Sequence, residues 1–379
     1  MPYLKLGVIK TSTKENEKRV PIHPDHIPQI PEKLRNNISF EKGYGEQFDI
    51  SDQDLLKQGV KILDKDEILT NCDIAVLPKP EAIDLMQMKK GAVLWGWAHL
   101  VQQKDITQAA IDRKLTVITW ECMNRWSNTG EWQMHIFYKN NELAGYCGVI
   151  HAHSVIGSTG HYGPEKKAAV INYGSVSHGA IYALQSLGIK DITVYTSQPD
   201  YLVKDQVLGI NYKQFFKGQE NKVYTHNANG KKILLAQDWH DKNIIVNGIL
   251  QDTDNALMFI QKKDLNLLPK GCLIIDVSCD EGMAFPFARP TSFSEPMFRV
   301  DHVYYYAVDH TPSYLWNSAS WEISHALLPF LEPVMNGPKA WKNNSIINKA
   351  IEMQNGTIVN PKILSFQSRA ADYPHAVQK

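Results

Sequence analysis

The sequence predicts an α/β protein of two consecutive doubly wound units, and three observations predict it. Short strand-like runs alternate with helical or turn segments through the first third of the chain. A second series of the same kind begins at "AAVINYG". At 379 residues the chain is longer than one hydrophobic core usually organises, so two cores are expected.

In the first series the apolar runs are "LKLGVIK", "ISFEKG", "GVKIL", "CDIAVLPK", "AVLWGW" and "LTVITWE", with segments such as "DQDLLKQG" and "KDITQAAIDRK" between them. The stretch "NNELAGYCGVIHAHSVIGS" has the length and the small, apolar residues of a buried linking helix. The second series runs through "AAVINYG", "DITVYTS", "NIIVNGI", "CLIIDVS" and "VYYYAVDH". After it, "SASWEISHALLPFLEPVM" reads as a further capped helix, so the chain is expected to leave its first domain and return to it. The tail "QSRAADYPHAVQK" is expected to be mobile.

Composition narrows the function classes. Lys plus Arg and Asp plus Glu are 40 each, which gives no field to hold nucleic acid or an anionic membrane. The longest apolar run, around "GAVLWGWAHLV", falls well short of the ~20 residues of a membrane span, and the chain reads as soluble and unprocessed. Five scattered cysteines without C-x-x-C spacing suggest neither a disulfide framework nor a zinc site, and point to a reduced, cytoplasmic setting.

The segment "KKAAVINYGSVSHGAIYALQSLG" is an apolar strand, a glycine turn and a helix, the arrangement that holds a dinucleotide pyrophosphate. The usual G-x-G-x-x-G is incomplete: Asn172 stands at the first glycine, Gly174 is in register, and the last glycine, Gly179, comes late.

Ligands of doubly wound sheets collect at the carboxyl ends of the strands, which singles out polar residues that close apolar runs. Arg19 follows "TSTKENEK", Lys79 closes "CDIAVLPK", His99 closes "VLWGWAH" and Asp280 closes "CLIIDVSCD". A guanidinium grips a carboxylate, an ammonium polarises a carbonyl or imine, and a histidine trades a proton near neutral pH, a set suited to amino-acid or 2-oxo-acid chemistry. Each also has a plain alternative: a solvated strand-end cation, a packed histidine, an Asp that caps a helix. His151 and His153, two apart on a helix, present different faces, so no metal site is expected there. Trp95, Trp97, Trp120, Trp126 and Trp132 either line a pocket or simply pack.

Several of these motifs carry a resemblance. "TKENEKRVPIHPDHI", "LPKPE", "WAHL", "AGYCGVIHA" and "IIDVSCDEG" resemble, in order, segments of alanine dehydrogenase and of the transhydrogenase nucleotide-binding subunit. "YYAVDHTPSYLWNSASWEIS" is similar to saccharopine dehydrogenase and carboxyethylornithine synthase, and the second of these also resembles "NEKRVPIHPDHI" and "GYGEQFDIS". The resemblance spans nearly the whole chain and is nearest the carboxyethylornithine synthases. It implies two Rossmann-like domains: a discontinuous catalytic domain over 1–140 and 318–379, with a nucleotide-binding domain at 141–317 inserted.

By the same resemblance, Arg19 binds the substrate carboxylate, Lys79 contacts its carboxylate or carbonyl oxygen, and His99 gives and takes the proton. Asp280 stands beside nicotinamide and amine, and Asp309 and His310 fall in a loop that meets substrate and cofactor. The implied cofactor contacts are Asn172, Gly174, Ser175, Val176, His178, Thr196, Ser197, Gln198, Asn247, Gly248 and Asp280, with "INYGSVSHGA" cradling the pyrophosphate. No acid stands at the strand end near Thr196, where an NAD enzyme carries one for the ribose hydroxyls, which favours NADP(H) over NAD(H). Ser197, Gln198 or His178 would then meet the extra phosphate.

The function these readings imply is NAD(P)H-dependent reductive condensation of a 2-oxo acid, pyruvate first among them, with an amine. The protein's partners are then small molecules, and a homo-oligomer is expected. Three rivals stay open: an alanine dehydrogenase using ammonia, a cofactor-binding protein without turnover, and a transhydrogenase subunit. The chain departs from alanine dehydrogenase at Ala144-Gly145-Tyr146, where many relatives have Ala-Gly-Arg, and through "MNRWSNTGEWQMHIFYKNNE". The aromatic and lysine-bearing segment from Trp120 to Lys139 favours ornithine or lysine as the amine, with Glu131 or Glu142 facing its far charge.

Overall fold

The computed structural model describes residues 2–218, 222–251 and 256–378. In chain order its strands are β1 (Leu6–Val8), β2 (Ile38–Glu41), β3 (Lys61–Leu63), β4 (Ile74–Val76), β5 (Val93–Gly96), β6 (Thr116–Thr119), β7 (Asn124–Trp126) and β8 (Trp132–His135). They continue with β9 (Lys167–Ile171), β10 (Asp191–Thr196), β11 (Asn211–Lys217), β12 (Val223–His226), β13 (Lys232–Leu234), β14 (Ile244–Asn247) and β15 (Leu273–Asp276). The last are β16 (Met297–Val300), β17 (Val303–Tyr306), β18 (Ile351–Gln354) and β19 (Thr357–Ile358).

The chain divides into two compact units, Met1–Tyr138 with Trp316–Lys379, and Lys139–Leu315. In the first, the sheet order is β19-β18-β6-β5-β4-β1-β2-β3; β1 to β6 are parallel, and β18 and β19 extend the sheet antiparallel. The order 3-2-1-4-5-6 is that of a doubly wound sheet, with its switch point between β1 and β4. Alternation along the strands builds a core on each face: Leu6, Val8, Ile74, Val76, Trp95 and Ile118 on one, Ala75, Leu94 and Val117 on the other.

The second unit repeats the plan. Its sheet runs β13-β12-β11-β10-β9-β14-β15-β17-β16, whose parallel part, β11-β10-β9-β14-β15-β17, again has the order 3-2-1-4-5-6. Here too the strands alternate, Ile171, Tyr195 and Ile245 facing one core and Val170, Val194 and Val246 the other. No helix of the described residues is long and apolar enough to cross a membrane.

Two sequence expectations need correction, and one group of strands went unseen. "SASWEISHALLPFLEPVM" is not one helix: Trp316–Leu327 is followed by a 3-10 turn and a separate helix Leu331–Met335, because Pro329 lacks the N–H and crowds the preceding turn. The tail is docked, not loose: Arg369 and His375 are buried, and His375 Nε2 accepts the Ile358 N–H at 3.0 Å. Strands β11 to β13 did not stand out in the sequence because their lysines and polar residues blur the apolar runs.

Candidate active site

Three adjacent parallel strands of the first unit are followed by titratable side chains. Lys79 follows β4, His99 follows β5, and Glu121 lies in the 3-10 turn Trp120–Cys122 directly after β6. Lys79 Nζ lies 2.9 Å from His99 Nε2. With Lys79 as an ammonium, which has only donors, His99 Nε2 is the acceptor of this contact. His99 has a φ of +46°, unusual for a side chain of its size. Its N–H donates to Glu121 Oε1 at 2.5 Å, which fixes the turn.

Glu121 had no place among the expected site residues, although it closes "LTVITWE" by the rule that picked out Lys79 and His99. Its Oε2 is buried with no hydrogen-bond partner among the described residues. Burial, and then the nearby Glu352, push its carboxyl well above the usual range, and burial does the same to Glu352. Glu352 comes from returning strand β18, where Cys122 Sγ and Asn360 Nδ2 donate to its Oε1 at 3.3 and 2.6 Å.

Arg19 is buried and bound by its own loop. Nε and Nη2 reach Glu17 Oε1 and Oε2 at 2.8 and 2.5 Å, and the guanidinium lies 4.9 Å from the Trp97 ring centre. This bidentate clamp sets the plane of the guanidinium, and Glu17 was missed because its role depends on the fold of the loop. The loop is tied to the Lys79 turn by Ser12 Oγ donating to Lys79 O at 2.8 Å.

Of the five tryptophans, Trp95 and Trp120 are wholly buried and Trp97 packs on Trp120 and Phe137 at 4.8 and 5.3 Å. Trp126 and Trp132 belong to the β7–β8 hairpin; Trp126 lies under Lys349 and Trp132 is exposed. Glu131 is exposed at the hairpin, whereas Glu142, in the second unit, pairs with Lys139 at 2.7 Å.

In the second unit, Asn172 ends β9 with a φ of +73°, a conformation asparagine tolerates better than most residues. Gly174 caps the helix Ser175–Ser186, whose first turn contains Val176 and His178. A Cβ on Gly174 would meet only Asn172 Nδ2, at 3.7 Å, so protein packing does not demand this glycine. Gly179 differs: its Cβ would lie 1.7 Å from Glu142 O, where this helix crosses the linking helix Tyr138–Ile156. The late glycine thus serves helix-on-helix contact.

A cavity of about 460 Å³ gathers Asn172, His178, Thr196, Ser197 and Gln198 with Tyr173 and the segment Leu202 to Asp205. Gly248 packs near Ser177 after β14. Asn247 is wholly buried; its Nδ2 donates to Asp276 Oδ1 at 2.9 Å and its Oδ1 accepts the Ile249 N–H. Asp276 also receives the Tyr305 hydroxyl at 2.7 Å and the Cys279 N–H at 3.0 Å, yet burial lifts its pKa to about 6. Burial likewise raises the carboxyl of Asp280, in the loop beyond β15. Asp309 Oδ1 lies 2.5 Å from His310 Nδ1, and Phe293 packs edge-on against that ring. His151 and His153 diverge, one to Tyr306 and one to Ser158.

The pattern of the alanine dehydrogenase/PNT N-terminal domain matches residues 7–144, and that of the C-terminal domain matches residues 159–361. The chain belongs to the alanine dehydrogenase/PNT family. Among curated proteins it is 29% identical to the N(5)-(carboxyethyl)ornithine synthase of Clostridium botulinum, over 85% of this chain and 92% of that protein. It is 21% identical to the alanine dehydrogenase of Mycolicibacterium smegmatis, over 94% and 95%. Among solved structures, an L-alanine dehydrogenase superposes with a TM-score of 0.74 at 19% identity, covering 95% of this chain and 98% of that one. That likeness establishes the fold, two Rossmann-like domains.

Proposed function

We propose that this family member is an oxidoreductase that condenses a 2-oxo acid such as pyruvate with an amine and reduces the resulting imine, using NAD(P)H. The observation that carries the reading is the Lys79–His99 contact of 2.9 Å at the carboxyl ends of β4 and β5. Similarity to carboxyethylornithine synthases supports the larger amine, the side-chain nitrogen of ornithine or lysine. The first unit is then the substrate domain and the second the cofactor domain.

The second unit suits a dinucleotide. Asn172 turns the chain, the space over Gly174 is clear of protein, and the N–H groups of Ser175 and Val176 open a helix. When bound, the nicotinamide supplies the hydride that reduces the imine. Thr196, Ser197 and Gln198 meet the ribose end, where the lack of a strand-end acid favours NADP(H).

Within the first unit, Arg19, held flat by Glu17, pairs with the substrate carboxylate, and Lys79 polarises the carbonyl oxygen. His99, beside Lys79, takes a proton from the attacking amine and delivers one as water leaves. Glu121 holds the backbone of His99 through this exchange. Asp280, Asp309 and His310 line the nicotinamide end. Reduction of the imine consumes one hydride and one proton and gives a secondary amine. The enzyme works as a small-molecule catalyst in the cytoplasm, as a homo-oligomer.

The test is a spectrophotometric screen of NADPH and NADH oxidation with pyruvate plus ammonia, ornithine or lysine. Saturable use of ornithine or lysine is the expected result. Activity with ammonia alone would make the protein an alanine dehydrogenase, and no oxidation with any pair would refute the reading.

A further inference from the structure

We infer that Lys204 is the residue that selects the cofactor, its ammonium pairing with a 2′-phosphate on the adenosine ribose. The inference rests on the reading of the second unit as a dinucleotide domain and adds the residue that sets its preference.

The observation begins with a missing helix. Between β10 and β11 a doubly wound sheet ordinarily carries a crossover helix, but here that connection holds only the 3-10 turn Asp200–Leu202. Without the helix, the chain folds back over the end of β10 and brings Lys204 into the cavity of about 460 Å³ with Thr196, Ser197 and Gln198. The segment is pinned on both sides. Tyr173 Oη donates to Asp205 O at 2.6 Å, and the Val207 N–H donates to Tyr212 Oη at 2.9 Å. At the other wall, Gln214 Nε2 donates to Ser197 O at 3.0 Å.

The chemistry of the lining follows. Where an NAD-binding domain ends its second strand in a carboxylate, this one ends in Thr196, followed by Ser197, and Lys204 lines the same cavity as both and Gln198. Lys204 with the neutral donors of Thr196, Ser197 and Gln198 is a set that suits a phosphate, which offers mainly acceptors at neutral pH. Asp205 lines the same cavity and is the rival: its carboxylate would accept from the two ribose hydroxyls and repel a phosphate. Its carbonyl is the atom that Tyr173 holds, and its φ of +53° is one that asparagine adopts as readily as aspartate, so the Asn variant keeps this backbone role. Lys204 was invisible to sequence reading because it lies eight positions beyond the strand end, in a loop of no recognisable motif.

The experiment is calorimetric titration of the full-length protein with adenosine 2′,5′-bisphosphate and with 5′-AMP. Lys204→Ala, Lys204→Glu and Asp205→Asn are compared with wild type. Wild type is expected to prefer the bisphosphate by about tenfold to a hundredfold, the range of one charge-assisted contact. Lys204→Ala should abolish that preference and leave 5′-AMP binding unchanged, Lys204→Glu should reverse it, and Asp205→Asn should keep or enlarge it. Because Lys204 is exposed, the variants should fold as wild type does. Equal binding of the two nucleotides by wild type, or a preference that survives Lys204→Ala, overturns the inference and leaves the dinucleotide reading standing. Selective loss of 5′-AMP in Asp205→Asn overturns it in favour of the carboxylate. Failure of wild type to bind either nucleotide, NADH or NADPH would sink the dinucleotide reading itself.

Discussion

Lys79 Nζ and His99 Nε2, from the ends of two neighbouring parallel strands, stand 2.9 Å apart. Neither residue is near the other in sequence, and the contact exists because β4 and β5 pair in register, with Ile74 opposite Val93.

If this pair moves the proton, His99→Ala should lower turnover by roughly 10²–10⁴-fold while nucleotide affinity survives. Lys79→Met should lose turnover and remain folded, because the thioether chain keeps the packing and removes the ammonium. Steady-state kinetics beside a melting curve checks both. Near wild-type turnover in His99→Ala would remove the histidine from the mechanism, and unfolding of Lys79→Met would make the lysine structural.

Glu121 tests how His99 is held. Gln at this position keeps a carbonyl oxygen for the His99 N–H, whereas Ala leaves that donor unpaired, at a cost of about 1–3 kcal/mol. Glu121→Gln should therefore keep much more activity and stability than Glu121→Ala. Equal loss in both variants would show that the charge, not the hydrogen bond, matters.

Two glycines in the same motif should respond in opposite ways. Gly179→Ala places a methyl 1.7 Å from Glu142 O and should destabilise the second unit by roughly 3 kcal/mol or more. Gly174→Ala, with only Asn172 Nδ2 at 3.7 Å, should fold normally and bind dinucleotide more weakly. Thermal melts and NADPH titrations of the two proteins separate these effects; a stable Gly179→Ala would disprove the close helix crossing.

Asp276 gives a pH dependence with a definite sign. Burial raises its pKa to about 6, so the folded protein holds a proton that the unfolded chain releases near the ordinary value of 3.8. Stability from this group is unimpaired below about pH 4 and falls as pH rises to about 6, by roughly 3 kcal/mol. Asp276→Asn keeps the acceptor oxygen for Asn247 and Cys279, makes the Tyr305 oxygen accept from its NH2 in place of donating, and should flatten that part of the profile. Urea denaturation between pH 4 and 7 measures it; parallel profiles for the two proteins would contradict the assignment.

The sequence by itself determined the α/β class, the two strand series, the return of the chain after the second, and the family. Apolar periodicity and strand-end polar residues are local signals, and "LPKPE", "WAHL" and "IIDVSCDEG" carry them in short, ordered pieces. Only the tertiary structure decided which groups touch. Glu17 clamps Arg19 and Glu121 holds His99, Lys204 lines one cavity with Thr196, Ser197 and Gln198, and the tail docks through Arg369 and His375. Asn247, expected at the cofactor, has its amide committed to Asp276 and to the N–H of Ile249. The physical reason is the same in each case. Burial and backbone hydrogen bonding are written residue by residue along the chain, but hydrogen bonds and ion pairs between side chains depend on a few ångströms of three-dimensional placement that pairing of distant strands sets.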